Sequence, residues 1–267
     1  MPKVRVGDIE MYYVEQGSGE PLVLIMGFSG DHTAWAFQMA EFAQRYRVIA
    51  FDNRGAGQTD QPDAPYTIPQ MAGDTAGLMD RLGIERAHVL GVSMGGMIAQ
   101  ELALAHPGRV LSLQLHCTHP GNDGYMTALG DAWGTVRASL PLEQAQRTIF
   151  LWLFGHTTYN ERPEFVEAIL AGALANPYPQ SLAGFRGQSA AVQAFSTRDR
   201  LPRITAPTLV SVADEDVLVP ARFAREIAAR IPGAELATIA RAGHVYFWEM
   251  PEEFNRMCLE FLARHPK

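Results

Sequence analysis

The 267 residues, 47% of them hydrophobic, can build one large α/β domain or two small ones, and one domain with an insertion fits best. Acidic residues outnumber basic ones 29 to 22, for a net charge of −7; with no basic run and no aromatic-rich basic face, nucleic acid is excluded as a partner. No apolar run approaches the roughly 18 residues that span a bilayer, the opening MPKVRVGDIEMYY lacks a signal core, and Cys117 and Cys258 are too few for a disulfide framework, so a cytoplasmic protein without a membrane partner is expected.

In chain order, Val4 to Val6 and Ile9 to Val14 alternate apolar with polar residues around Gly7-Asp8 and predict an antiparallel hairpin at a sheet edge. The run Leu22 to Met26 reads as a buried strand that ends in the loop GFSGDH, before a helix around Trp35 to Phe42. Arg47 to Phe51 is the next strand; it runs into DNRGAGQTD, where Asp52 and Arg54 are expected to form a loop-fixing ion pair. A helix from about Ile68 to Leu82 stops at Gly83.

The segment AHVLGVSMGGMIAQELALA, Ala87 to Ala105, joins a buried-strand pattern to a run of good helix formers through GVSMG. A sharp turn from strand to helix forces its central residue, Ser93, into a strained conformation with the side chain exposed above the sheet. Gly91 and Gly95 fit the small-neighbour requirement of that turn. The pentapeptide GxSxG arises by chance in roughly one chain in ten of this length, so its weight comes from the strand before it and the helix after it. The helix N-terminus beside Ser93 favours an oxyanion.

Val110 to His116 is a further strand. From about Pro120 to Leu201 the rhythm changes to helical text without a buried strand, which predicts a helical cap inserted at 120–201 between core segments 1–119 and 202–267. Its aromatics, Trp133, Phe150, Trp152, Phe154, Tyr159, Phe165, Phe185 and Phe195, are too many to line a pocket together, and packing inside the cap is expected for most. The parallel pattern resumes at Pro207 to Ala213, followed by DEDVLVP, a helix from about Ala221 to Ile231, a last strand at Ala234 to Ala240, the loop RAGHVYFWEMPEEF and a closing helix over Pro251 to Arg264. Strands alternating with helices at this spacing predict a mostly parallel, doubly wound sheet.

A serine hydroxyl needs a base within hydrogen-bond reach, and the base needs an orienting acid. Of eight histidines, His244 lies in a glycine-bearing loop after a late strand, where open α/β sheets form their binding crevice; His116 and His119, after the strand next to the serine's, are rivals. DEDVLVP offers Asp214, Glu215 and Asp216 for the acid, with Asp123 an outside candidate. Asp216 is favoured, because the third loop residue can curl back over the sheet. No HExxH, Cys and His cluster, phosphate loop or dinucleotide fingerprint calls for a metal or cofactor.

The order Ser93, Asp216, His244 is that of nucleophile, acid and base in the α/β-hydrolase fold. GVSMGG resembles the nucleophile elbow of that superfamily, MGF its oxyanion loop, DNRGAGQTD its DxRGxGxS/T loop, ADEDVLVP its acid loop and AGHVYFWEMPEEF its histidine loop, so the likeness runs over nearly the whole chain. It implies an eight-stranded, mostly parallel sheet flanked by helices, and it assigns the backbone N–H groups of Phe28 and Met94 to the oxyanion hole. Met26, where many relatives have histidine, and Ala213, where most have glycine, depart from the pattern. The expected activity is cofactor-free hydrolysis of a small apolar ester or lactone, similar to small esterases and enol-lactonases, through an acyl-enzyme on Ser93. Carbon–carbon bond hydrolysis, perhydrolysis and a non-catalytic binding role on the same scaffold are the alternatives.

Overall fold

A computed structural model describes residues 3–266. Eight strands, β1 (Lys3–Val6), β2 (Ile9–Gln16), β3 (Glu20–Ile25), β4 (Tyr46–Phe51), β5 (Ala87–Val92), β6 (Val110–His116), β7 (Thr208–Ala213) and β8 (Glu235–Ile239), form one sheet in the order β1-β2-β4-β3-β5-β6-β7-β8. The hairpin β1–β2 and its pairing with β4 are antiparallel and every other pair is parallel. Gly7 turns the hairpin at φ +54°.

Central strands buried on both faces are mainly apolar; β5, β6 and β7 are buried at every position, and polar residues within them pair across strands, His88 with Ser112 and His116 with Ser211. Their side chains still separate by the two-residue pleat. Val23 and Ile25 of β3 and Ile49 and Phe51 of β4 pack on one face with α2 (Ile68–Arg81), α3 (Met94–Ala105) and α9 (Arg222–Arg230). Leu22, Leu24, Val48 and Ala50 pack on the other with α1 (Met39–Phe42), α10 (Tyr246–Glu249) and α11 (Pro251–Ala263).

Between β6 and β7 lie α4 (Gly124–Ser139), α5 (Leu142–Leu153), α6 (His156–Glu161), α7 (Pro163–Leu174) and α8 (Leu182–Gln193). Entry and exit of this insertion are stitched together by a bridge between Gly121 and Ser196 and by the Thr197 N–H on the Pro120 carbonyl, 2.8 Å. Phe150 and Phe154 join the second core, whereas Trp133 and Phe185 face a cavity.

Two local expectations need correction. The expected ion pair of Asp52 with Arg54 is absent: Arg54 reaches Asp74 on α2 (2.8 Å twice) and Asp8 in the hairpin turn (2.7 and 3.0 Å). Gly57, at φ +52°, folds the chain back over Asp52, whose carboxylate takes the His32 and Gln58 amide N–H groups and the His32 ring. Buried amides must be satisfied, and Asp52 is spent on them. The helix expected over Trp35 to Phe42 is broken into a 3₁₀ turn, His32–Trp35, and the short α1. Asp31 caps the turn early, and buried Gln38 at the break donates to the Phe247 carbonyl and Asn255.

His116 and His119 are buried at and just beyond the end of β6, and burial pushes them down to about 3 and about 4. For His32 burial acts downward too, but the Asp52 hydrogen bond and charge outweigh it and raise the pKa. A histidine depressed in the folded state keeps its contribution above the unfolded value of about 6.5 and loses it as pH falls. His32, raised, gains over the same window. His116 and His119 each lose about 2 kcal/mol between pH 7 and 5; His88, lowered by burial, adds to the loss and His32 offsets part of it, so chemical denaturation should register a net stability loss over that range. Unchanged stability would show that these rings protonate in the native protein.

Candidate active site

Ser93 stands between β5 and α3 at φ 55°, ψ −121°, a conformation that costs a non-glycine residue energy and persists only where its surroundings over-determine it. Those surroundings are backbone. A Cβ on Gly91 would strike the Gly95 carbonyl, and one on Gly95 would strike the Ile25 carbonyl. The Ser93 N–H donates to the His116 carbonyl at 2.9 Å, and the Ser93 carbonyl accepts from the Gly96 N–H and the Thr118 hydroxyl at 2.9 and 2.8 Å.

Met94 opens α3, so its N–H has no carbonyl one turn back within the helix and lies at the positive end of the helix dipole. Across from it, a Cβ on Gly27 would come within 3.0 Å of the Ser93 Cβ, which brings the Phe28 segment alongside the serine. Met26 is buried in the space under Gly30, and its carbonyl accepts from Asn53 at 2.7 Å. Ser29 is also left-handed, at φ 62°. Its amide donates to the Gln188 side chain of α8 at 2.9 Å, and Gln188 donates in turn to the Arg54 carbonyl at 2.9 Å. Gln180 bonds Gln188 and the Ser29 hydroxyl.

The three carboxylates after β7 have separate partners. Asp214 accepts the Arg241 N–H at 2.8 Å. Glu215 takes the Thr157 N–H at 2.9 Å, the Thr157 hydroxyl at 2.5 Å and the His156 ring at 3.0 Å, all on α6. Asp216, with a fully buried side chain, holds His244 Nδ1 at 2.9 Å through one oxygen and the Val219 N–H at 2.8 Å through the other. With Nδ1 turned to the carboxylate, Nε2 is the nitrogen left for a reacting hydroxyl. The loop carrying His244 is braced by Glu249, whose carboxylate accepts the Gly243 N–H at 2.7 Å and the Gly155 N–H at 2.9 Å. Burial raises the Glu249 pKa against these bonds.

Asp123 instead caps α4 through the Met126 N–H and pairs with Arg222. His116 is enclosed between Ser211 and Cys258, away from any carboxylate. His119 lines the same cavity as Ser93. That cavity holds roughly 570 Å³ of empty space between sheet and insertion, part of it open to solvent, and Phe28, Met97, Trp133, Phe185 and Leu218 make its wall largely apolar. Gln188, Gln180 and Glu249 escape a reading of the sequence because no spacing separates them from ordinary helix and loop polar residues; His119 was visible there only as a rival base. Among the described residues, the one carboxylate and histidine group close enough to share a cation is Asp31, His32 and Asp52, and its hydrogen bonds to Thr33, Gln58 and Asn176 engage it structurally.

No helix among the described residues is long and apolar enough to cross a membrane. Residues 20–251 match the family model for the alpha/beta hydrolase fold. A protein of Azorhizobium caulinodans that carries the name carbamate hydrolase RutD is 32% identical, with 98% of each chain covered. The structure of an N-acyl homoserine lactone degrading enzyme is 32% identical with a TM-score of 0.86, covering 98% of this chain and 100% of that one. The enol-lactonase of Burkholderia xenovorans superposes with a TM-score of 0.89 at 26% identity, again over 98% of this chain and 100% of the other. A sheet of this order with a strained serine after β5, matched by such relatives over almost the full length, identifies the chain as a member of the α/β-hydrolase family.

Proposed function

We propose that the protein is a cofactor-free serine hydrolase that opens a carboxylic ester or lactone of a small apolar molecule. Ser93 attacks the carbonyl, His244 takes the hydroxyl proton and returns it to the leaving oxygen, and Asp216 fixes the imidazole and stabilises its charged form. The N–H groups of Phe28 and Met94 receive the developing oxyanion, each contributing about 3 kcal/mol. Water then releases the acid from Ser93. In this reading residues 120–201 act as a cap that excludes solvent from the acyl group, and the two unpaired buried thiols, Cys117 and Cys258, suit the cytoplasm.

The observation that carries the proposal is the buried 2.9 Å pair of His244 and Asp216, in loops that leave the C-terminal ends of their strands as the strained Ser93 does, and beside an apolar cavity. Relatives named for lactone and carbamate cleavage support attack on an acyl carbon with a heteroatom leaving group. Serine at the elbow also fits covalent labelling by a fluorophosphonate, which a mere binding protein would resist.

Hydrolysis of p-nitrophenyl esters and a lactone panel tests the proposal. Ser93→Ala and His244→Ala should each lower kcat by about 10⁴-fold or more, and Ser93→Ala should abolish the fluorophosphonate adduct. A wild-type protein that neither turns over these substrates nor labels would end the reading. Asp216→Asn should cost about 10³-fold or more in kcat, whereas Asp214→Asn, which touches only the Arg241 amide among the bonds described, should stay within about threefold. The reverse ranking would assign the acid to Asp214. Gln188→Leu releases the Ser29 amide and should lower kcat at least about tenfold through the displaced oxyanion loop, with a smaller change in KM. An unaltered kcat would show that the loop holds its shape without α8.

A further inference from the structure

His119 is wholly buried at the cavity wall, between the rings of Phe195 and Phe223 at 6.3 and 5.4 Å. Neither of its ring nitrogens has a hydrogen-bond partner of good geometry among the described residues, although the Gly121 backbone is close enough to favour the charged ring against its burial. On α4, the Trp133 ring lines the same cavity, 6.3 Å from Phe28, and its Nε1 is likewise buried without a partner. Buried polar groups are nearly always paired, and one left unpaired costs about 1–3 kcal/mol. Two such groups on one cavity are a vacancy for a ligand's polar atom.

We infer that His119 and Trp133 form a recognition point for an uncharged hydrogen-bond acceptor, a ketone or amide carbonyl, carried by the substrate away from its scissile group. The inference rests on the ester-hydrolase reading and adds to it the substrate feature that the cavity selects. An indole N–H can only donate, and a neutral imidazole donates from one nitrogen, so each of the two can serve an acceptor. Burial holds His119 down to about 4, hence neutral near pH 7, and no charged side chain among the described residues lines the cavity. A carboxylate there would be stripped of water without a counter-charge, whereas a carbonyl oxygen replaces the missing partners. His119 is not a second base for Ser93, since no carboxylate orients it.

The test compares p-nitrophenyl octanoate with its 3-oxo, 5-oxo and 7-oxo counterparts. At least one oxo ester should exceed the plain ester in kcat/KM by about tenfold, and that ratio should fall below about twofold in His119→Phe. Taking the ratio within each protein removes any general loss of activity. Trp133→Phe, on the more exposed α4, is the second variant and should reduce the ratio about threefold. Calorimetric binding of the same esters to Ser93→Ala, with and without His119→Phe, reads the preference without turnover. If no ester is hydrolysed, the hydrolase reading fails while the binding comparison still decides this one. Absence of any oxo preference in binding and rate, or a preference that survives His119→Phe, overturns the recognition point.

Discussion

The backbone strain at Ser93 is the constraint on which the rest depends. A serine at φ 55° is disfavoured by about 1–3 kcal/mol and must be held by groups that cannot move. The groups that hold it are main-chain atoms of three adjacent strands and a helix: the Ile25 carbonyl at the end of β3 against Gly95, the Gly95 carbonyl against Gly91, and the His116 carbonyl on the Ser93 amide. Such contacts exist only if β3, β5 and β6 are adjacent, parallel and in register, and the sheet provides this. The apolar runs of β3, β5 and β6 thus act at a distance on the hydroxyl, by fixing the frame that strains it.

The insertion is tied to the site loops by a different kind of contact, a buried or part-buried side chain accepting backbone N–H groups. Gln188 of α8 holds the Ser29 amide, Glu249 holds Gly243 and Gly155 together, and Glu215 caps α6 beside Asp216. Each acceptor links one loop of the sheet edge to one element of the insertion. Cavity shape and site geometry are therefore not independent: a change in the helices that bound the cavity is felt at the loops beside Ser93 and His244. Gly243 and Gly155 meet backbone to backbone at this seam, where a Cβ on either would strike the other's chain.

What the sequence could reveal divides along physical lines. The strands and the elbow were legible because periodicity and glycine placement are local consequences of burial and close approach, and Gly91 and Gly95 need to be small for reasons the pentapeptide already implies. Asp216 stood out from Asp214 and Glu215 by its place in the loop, and it is the one bonded to His244. Asp52 and Arg54 misled because two opposite charges two residues apart suggest each other, while the folded chain offered each a partner remote in sequence: His32 and Gln58 for one, Asp74 and Asp8 for the other. Gln188 and Glu249 were invisible for a related reason. Their role depends on which amide the insertion brings near, and nothing in their own segments records it.

Beneath the His244 and Asp216 pair the structure keeps its polar groups neutral. Tyr246 shares a hydrogen bond of 2.7 Å with Ser211, which in turn meets the His116 ring at 2.5 Å. Burial pushes the Tyr246 and Cys117 pKa values well up, with the Asp216 charge adding to the effect on both, and pushes His116 down. None of the three therefore carries charge near pH 7. A cation below Asp216 would compete with His244 for the carboxylate, and an anion would force protonation of one of the two. With neutral neighbours on the inner side, the attraction of Asp216 is directed to the one ring it touches. In the proposed reaction that ring becomes positive as the oxyanion forms over Ser93, and the apolar cavity keeps the opposed charges poorly screened.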